Sequence, residues 1–282
     1  MRIGWIGLGH MGLPMARRLL GAGHALHVWS RRPEAARALV GHGAIAMPDA
    51  EALARACDVV CTIVGGPDDV LFLYRCMLPC ARPGATFIEM TTASPATAVQ
   101  LRSLAAPLGV SVLDCPVTGG VAGAMQGKLT TFVGGAADVL ERARPVLQVL
   151  AARLVHCGAG GSGYRMKLVN QTIVAGVLLG LADGAALARA AGFGAGEVAT
   201  ALGAGTASGM LFDSYIERMV GAAGATTFTL ALLRKDLRLA RADAQEMRSS
   251  TRLVDFALDC VEQACARFGA DAGVQCLAAP AP

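Results

Sequence analysis

Lysine and asparagine are almost absent from this chain, although arginine is common. Of the 25 basic residues among 282, only Lys128, Lys167 and Lys235 are lysines, and Asn170 is the single asparagine. A composition so rich in arginine and alanine is typical of genomic coding bias. Each lysine or asparagine that remains is therefore a candidate for a specific role.

Charged and aromatic side chains are also scarce. Charged residues make up 16% and aromatic residues 5% of the sequence, against 54% hydrophobic residues. This composition excludes an intrinsically disordered chain. The net charge of +4 comes without a dense basic stripe, which argues against a nucleic-acid partner. We expect a globular protein with small, anionic ligands.

The sequence offers no pattern typical of a secretion signal or a membrane span. Only a few apolar residues precede a glycine cluster at the N-terminus. The most apolar later stretch, 173–187, contains Asp183 and is too short for a bilayer, so we expect a buried helix there. We therefore expect a cytoplasmic protein with no membrane partner.

Nine cysteines, an odd number, are expected to be reduced thiols in such a compartment. Cys57 with Cys61, and Cys76 with Cys80, have i,i+4 spacing. Both pairs lie in apolar segments without a histidine cluster, so we interpret them as packing residues. We expect no metal site.

The first half of the chain alternates β-rich runs with helical patterns. Strands are predicted at 2–6, 25–29, 58–64, 86–90, 111–115, 130–134 and 154–157. Helices are predicted between most of them, for example at 11–21, 33–40 and 95–108. This alternation predicts βαβ units in a doubly wound parallel sheet with right-handed crossovers.

The character of the sequence changes at the glycine-rich segment 158–163. Beyond it we find no convincing strand. Helices are predicted at 164–191, 197–202, 209–220, 229–249 and 251–268. The sequence therefore predicts an α/β domain at 1–161 and an all-α domain at 162–282, joined by a long helix.

A glycine motif lies between the first predicted strand and the first predicted helix. Its residues are Gly7, Leu8, Gly9, His10, Met11 and Gly12. In G-x-G-x-x-G turns the glycines permit the tight turn, the approach of a pyrophosphate and helix–strand packing. The helix N-terminus adds unpaired N–H groups. This context predicts a Rossmann-type NAD(P)-binding domain, whereas a glycine turn without a ligand is the alternative.

The second strand ends at Ser30, Arg31 and Arg32, where NAD-binding domains usually carry an acid for the ribose 2′-hydroxyl. No acid follows until Glu34. The two arginines suit a 2′-phosphate, so NADP is favoured, although NAD stays possible. Two solvated arginines are the alternative.

Two further segments carry candidate chemistry. Thr118, Gly119 and Gly120 follow a predicted strand and suit a substrate carboxylate, although an ordinary turn explains them equally well. Lys167, Asn170 and Gln171 share one helix face. Their apolar neighbours are expected to be buried: Met166, Leu168, Val169, Ile173 and Val174.

An ammonium group in such a setting loses hydration, which favours the neutral amine and suits proton transfer. The alternative is that Lys167 extends to the surface at the helix start. Lys235 and Asp236 look, from their local pattern alone, like an ordinary exposed ion pair.

Four motifs in this order resemble the β-hydroxyacid dehydrogenase family, which includes 3-hydroxyisobutyrate dehydrogenase, tartronate semialdehyde reductase, glyoxylate/succinic semialdehyde reductases and 6-phosphogluconate dehydrogenase-like proteins. The resemblance covers nearly the whole chain. The motifs are GLGHMGLPMA at 7–16, DCPVTGG at 114–120, GGSGYRMKLVN at 160–170 and KDL at 235–237.

The resemblance implies that Lys167 is the catalytic acid/base and that Thr118, Gly119 and Gly120 hold the substrate carboxylate. It implies roles for six further residues: cofactor contacts for Val64, Thr92 and Lys235, with Asp236 and Phe228 nearby, and a substrate contact for Asn170. Gln171 would also bind substrate, although the family usually has asparagine there. Thr118 and Glu89 stand where the family usually has serine and aspartate, and Ser30 replaces a usual asparagine or aspartate.

The expected function is reversible hydride transfer between NADP(H) and a small β-hydroxy acid or its semialdehyde. Two alternatives stay open: a catalytically silent dinucleotide-binding module, and a related reductase of imines or bulky carbonyls. Related imine reductases commonly lack the catalytic lysine, so Lys167 argues against the second. The resemblance also implies a homodimer or homotetramer, with the helical domain in substrate binding and dimerisation.

Overall fold

The computed structural model of the protein describes residues 1–221 and 228–280. The chain divides into two compact units, Met1–Lys167 and Leu168–Pro282. The boundary predicted between residues 161 and 162 stays a prediction, because this division falls inside a continuous helix.

The first unit contains nine strands and seven complete α-helices. The strands are β1 (Arg2–Ile6), β2 (Ala25–Trp29), β3 (Ile45–Ala46), β4 (Val59–Thr62), β5 (Thr86–Glu89), β6 (Ser111–Asp114), β7 (Val117–Thr118), β8 (Leu129–Gly134) and β9 (Ala151–Gly158). The helices are α1 (Gly12–Gly21), α2 (Pro33–Val40), α3 (Ala50–Ala56), α4 (Pro67–Met77), α5 (Pro95–Ala105), α6 (Gly120–Gln126) and α7 (Ala137–Leu150).

Helix starts in this unit follow local sequence signals. Proline occupies the first turn of α2, α4 and α5, where its missing N–H costs nothing. The side chains of Asp49 and Ser94 accept hydrogen bonds from the N–H groups of Ala52 and Thr97, and so cap α3 and α5.

The sheet has the strand order β3-β2-β1-β4-β5-β6-β8-β7, with β9 on β8. The first six strands in this order are parallel, which confirms the predicted doubly wound sheet. The sequence missed the short strands β3 and β7. It also missed that β8 is antiparallel to β6 and β7.

Separate apolar clusters cover the two faces of the sheet. Met15 and Leu19 of α1 lie in the same cluster as Trp5 of β1. Leu53 of α3 and Tyr74 of α4 lie in the other cluster. Strands covered on both faces are buried along their whole length, as in β4 and β5. The order of strands reverses between β1 and β4, and ligands bind at such a point, outside the carboxyl ends of the strands.

The second unit is helical in its described residues, apart from an isolated bridge between Thr229 and Gly273. Its helices are the later part of α8 (Ser162–Ala190), then α9 (Ala195–Leu202), α10 (Met210–Gly221), α11 (Leu230–Glu246) and α12 (Arg252–Phe268). One apolar stripe of α8, including Leu178 and Ala185, packs in the core of this unit. The predicted long helix and all-α domain are confirmed.

The buried helix expected at 173–187 is only half right. The segment belongs to the 29-residue helix α8, which is long and apolar enough to cross a membrane by length and composition alone. One of its faces is exposed: Ile173 is 61% and Leu187 73% accessible, and Met166 and Val169 also lie on the surface. The expectation that these residues are buried is therefore wrong, since an apolar sequence does not by itself tell which face packs in the core.

Candidate active site

The glycine turn joins β1 to α1 and packs against the end of β4. A Cβ on Gly7, whose φ is +98°, would lie 1.9 Å from the carbonyl oxygen of Ile63. A Cβ on Gly12 would lie 1.9 Å from the carbonyl oxygen of Gly7. Both positions therefore require glycine, which lets the helix start close to the strand.

Gly9 differs from these two, because a Cβ there would have no heavy atom within 4 Å. Among the described residues, no side chain caps the amino end of α1. Leu13 donates its N–H to the carbonyl oxygen of Gly9 and Pro14 has no N–H, so an anion would bind to N–H groups before Leu13 and to the positive end of the helix dipole. A tight turn, open space at Gly9 and an uncapped helix fit the pyrophosphate of a dinucleotide.

The end of β2 carries the three residues that the sequence assigned to cofactor selection. The Ser30 hydroxyl accepts a hydrogen bond from the N–H of Arg32 at 3.2 Å. The Arg31 guanidinium donates to Asp69 of α4 at 3.1 Å, and its side chain is 73% exposed. Sequence reasoning missed Asp69, because it comes from a different βα unit and has no local signal.

The loops that follow β4 and β5 are tied together. The N–H of Val64 donates to the hydroxyl of Thr91 at 2.9 Å. Thr92, the next residue, is partly exposed. Because parallel strands end at the same edge of the sheet, Val64 and Thr92 lie at the edge that also carries the glycine turn.

The proposed carboxylate loop connects β7 to α6. Thr118 pairs with Thr130 in the antiparallel β7–β8 ladder. Gly119 has φ +125° and Gly120 φ +64°, backbone conformations that glycine adopts without strain. Successive N–H groups in such a turn form an anion-binding concavity, with Thr118 beside it as a further donor.

Lys167 lies in the second turn of α8, and only 7% of its surface is exposed. It therefore does not extend into solvent from the helix start, which was the alternative left open by the sequence. Asn170 and Gln171 follow at i+3 and i+4 on the same face of the helix.

A chain of polar contacts fixes the two amides in the second unit. The Asn170 amide nitrogen donates to Gln171 Oε1 at 2.8 Å, and Gln171 Nε2 donates to Asp236 Oδ2 at 2.6 Å. Lys235 Nζ lies 2.8 Å from Asp236 Oδ1. The expectation of an exposed pair is wrong, because the side chains of Lys235 and Asp236 are only 23% and 6% exposed. Phe228 is partly buried and accepts a backbone hydrogen bond from Val274.

A buried carboxyl group at the end of β5 was not assigned a role by the sequence. Glu89 is completely buried, and burial raises its pKa from 4.5 to about 7, against hydrogen bonds from Thr91 and Tyr164 that lower it. Burial likewise raises the pKa of Asp114, against backbone N–H bonds from Gly161 and Tyr164. A single acid within the apolar run 87–90 was the signal that could have identified Glu89.

Two family models match consecutive parts of the chain. Residues 2–158 match the NAD binding domain of 6-phosphogluconate dehydrogenase. Residues 161–280 match the NAD-binding domain of NADP-dependent 3-hydroxyisobutyrate dehydrogenase.

Several relatives are similar over most of their length. The NAD-dependent L-serine dehydrogenase of Pseudomonas aeruginosa is 34% identical, over 91% of this chain and 90% of the relative. The 2-hydroxy-3-oxopropionate reductase of Escherichia coli is 34% identical, over 88% and 85%. The structure of Mycobacterium tuberculosis 3-hydroxyisobutyrate dehydrogenase with L-serine superposes with a TM-score of 0.87 at 31% identity, covering 98% of this chain and 97% of that one.

A doubly wound sheet with a glycine turn at the β1 end, followed by a helical unit, defines an NAD(P)-dependent oxidoreductase. The chain belongs to the β-hydroxyacid dehydrogenase family. The family and the nicotinamide cofactor that the sequence predicted are thereby confirmed.

Proposed function

We propose that this protein transfers a hydride reversibly between NADP(H) and a small β-hydroxy acid or its semialdehyde. The substrates named for its relatives support this class, because L-serine, 3-hydroxyisobutyrate and 2-hydroxy-3-oxopropionate are all small carboxylates. The second carbon from the carboxylate carries the alcohol or carbonyl oxygen in each of them. Glycine amides beside Thr118 and a lysine on α8 match these two polar ends of the substrate.

In the proposed reaction the dinucleotide supplies or accepts the hydride at its nicotinamide ring. Thr118 and the N–H groups of Gly119 and Gly120 bind the substrate carboxylate. Lys167 donates a proton to the carbonyl oxygen during reduction and takes it from the hydroxyl group during oxidation. Asn170 and Gln171 bind further polar groups of the substrate.

Cofactor contacts in the proposal come from several loops. They are the glycine turn (Gly7, Leu8, Gly9, His10, Met11, Gly12), the end of β2 (Ser30, Arg31, Arg32), Val64, Thr92 and Lys235. Asp236 follows Lys235 directly on α11, and Phe228 precedes this helix; we assign Asp236 and Phe228 to substrate binding. The exposed arginines after β2 support NADP over NAD.

The burial of Lys167 is the observation that carries this proposal. The chain has only three lysines, and this one is 7% exposed on the helix face that it shares with Asn170 and Gln171. Removing an ammonium group from water is costly, so a buried lysine is kept where its charge or its proton has a use.

The test is the oxidation of NADPH with a panel of small semialdehydes, and the reverse reaction with β-hydroxy acids. Lys167→Ala is expected to bind NADPH normally and to lose at least a hundredfold in kcat, since general acid–base groups contribute about 10²–10⁴-fold. Lys128→Ala removes an exposed lysine and serves as the control. Near-normal kcat in Lys167→Ala would refute the assigned role, and no turnover with any hydroxy acid would refute the substrate class.

We further propose that residues 1–161 bind the dinucleotide and that residues 162–282 bind substrate and associate with a second subunit. Val169, Ile173 and Val177 form an exposed apolar row on α8, which supports burial between copies of the chain in a homodimer or homotetramer. We also propose a cytoplasmic location, which the nine free cysteines support. Light scattering and cell fractionation test these assignments.

A further inference from the structure

Three polar residues form a row at the carboxyl edge of the sheet. Thr62 of β4 pairs with Glu89 of β5, and Glu89 pairs with Asp114 of β6. Paired residues of parallel strands point to the same face, so these side chains lie side by side. All three are buried.

Glu89 accepts hydrogen bonds from three other residues. The N–H of Thr91 lies 3.0 and 3.1 Å from its two carboxylate oxygens, and the Thr62 hydroxyl donates to Oε1 at 3.4 Å. The hydroxyl of Tyr164 donates to Oε2. Each of these partners donates, so both carboxylate oxygens of Glu89 act as acceptors.

The bond to Thr91 connects Glu89 to the loops after β4 and β5, which carry the proposed cofactor contacts Val64 and Thr92 and are named the nicotinamide loops. The hydroxyl of Thr91 accepts the N–H of Val64 at 2.9 Å, and Thr92 is the next residue. A single carboxylate thus fixes Thr91, and through Thr91 it fixes the loop after β4 as well as the loop after β5.

The bond to Tyr164 connects the same carboxylate to the start of α8. Tyr164 is completely buried, and Lys167 follows it by three residues, almost one helical turn. Asp114 accepts the N–H groups of Gly161 at 2.7 Å and Tyr164 at 3.0 Å, which fixes the height of this turn. The Tyr164 hydroxyl fixes its rotation about the helix axis.

We propose that Glu89 is a positioning residue that aligns Lys167, through Tyr164, with the nicotinamide loops, through Thr91. This inference rests on the proposed function, in which Lys167 transfers a proton to a substrate beside the nicotinamide ring. Hydride and proton transfer need both groups at a fixed separation, and a misplacement of about 1 Å costs about a hundredfold in rate. One carboxylate that bonds to both sides holds that separation.

The experiment compares two tyrosines that each lose one buried hydroxyl. Tyr164→Phe removes the donor to Glu89, whereas Tyr74→Phe, the control, removes a hydroxyl on α4 that bonds to Thr62 at 3.2 Å. Tyr164→Phe and Glu89→Gln are expected to lower kcat at least tenfold, with the KM for substrate and the Kd for NADPH within about twofold of wild type. Tyr74→Phe is expected to keep kcat. Because each substitution touches the same step, the double variant Glu89→Gln/Tyr164→Phe is expected to lose less than the product of the single losses.

A readout without turnover separates this inference from the proposed function. Labelling of Lys167 by an amine-reactive reagent is followed by peptide mass spectrometry, with Lys128 as internal reference. The ratio of Lys167 labelling to Lys128 labelling is expected to change in Tyr164→Phe and to stay at the wild-type value in Tyr74→Phe. Equal kcat and equal labelling in the two tyrosine variants would overturn the inference even if Lys167→Ala is inactive. An active Lys167→Ala enzyme would refute the proposed function instead, whatever the labelling shows. If Glu89→Gln does not fold, Glu89→Asp replaces it, with the same expected loss of kcat.

Discussion

At the scale of single residues, the glycine turn separates positions that shape the fold from one that leaves room for a ligand. A Cβ on Gly12 would overlap the carbonyl oxygen of Gly7, whereas a Cβ on Gly9 meets nothing within 4 Å. We therefore expect Gly9→Ala to unfold at the wild-type temperature and to bind NADPH at least tenfold more weakly, about 1.4 kcal/mol. Gly21→Ala, at the far end of α1, is the control. Tight NADPH binding by Gly9→Ala in calorimetry would show that the pyrophosphate does not approach there.

Cofactor choice is also decided by single residues. Arg31 and Arg32 are exposed, and Arg31 is paired with Asp69 at 3.1 Å. Hydrogen bonds to charged groups contribute about 1.5–3 kcal/mol each. Arg31→Ala/Arg32→Ala should therefore lower kcat/KM with NADPH at least tenfold and leave NADH nearly unchanged. Arg37→Ala, exposed on α2, is the control. An equal loss with both cofactors would contradict the preference for NADP.

At the scale of elements, the start of α8 depends on one side chain from the sheet. Asp114 is 2% exposed and accepts the N–H of Gly161, directly before the helix, and the N–H of Tyr164, in its first turn. Asp114→Asn places an N–H₂ group where an acceptor is needed, and a lost cap costs about 1–2 kcal/mol. In urea unfolding we expect the free energy of unfolding to fall by about 1–2 kcal/mol. Asp138→Asn, on the exposed start of α7, is expected to leave the midpoint nearly unchanged. Equal midpoints for the two variants would exclude this anchoring role.

Elements were predictable where one local signal dominates. The runs at 2–6 and 25–29 are strands β1 and β2 as predicted, and Pro33 starts α2 where expected. The two-residue strands β3 and β7 were missed, because so short a strand is defined by its pairing partner and not by its own pattern. For the same reason, local patterns did not indicate the contacts between segments that are distant in the sequence.

The contacts of the candidate site show this limit most clearly. The sequence placed Lys167, Asn170 and Gln171 on one helix face, since helical spacing alone fixes that. The bond from Gln171 to Asp236, and the one from Tyr164 to Glu89, join residues 65 and 75 positions apart. Such pairs depend on topology, so local periodicity cannot indicate them.

At the scale of the whole molecule, the ionisation of one buried acid links pH to stability. Glu89 is buried beside Asp114, Tyr74, Tyr164 and Cys115, and burial raises its pKa from 4.5 to about 7. Between pH 4.5 and about pH 7, Glu89 therefore keeps its proton in the folded protein and releases it in the unfolded chain. Folding stability from this group is complete below pH 4.5, falls as the pH rises to about 7, and stays low above it.

Glu89→Gln removes this dependence, because glutamine does not ionise. We expect the free energy of unfolding of the variant, relative to wild type, to rise by about 2 kcal/mol between pH 5 and pH 8. The exposed carboxyl of Asp58 acts in the opposite direction, since the N–H and guanidinium of Arg2 lower its pKa, so its contribution is lost only as the pH falls. Urea titrations at both pH values measure the difference, with Glu34→Gln on the surface of α2 as the control. A constant difference between wild type and Glu89→Gln would mean that Glu89 has the same proton affinity in the folded and unfolded chain, and that its burial is compensated by the bonds from Thr91 and Tyr164.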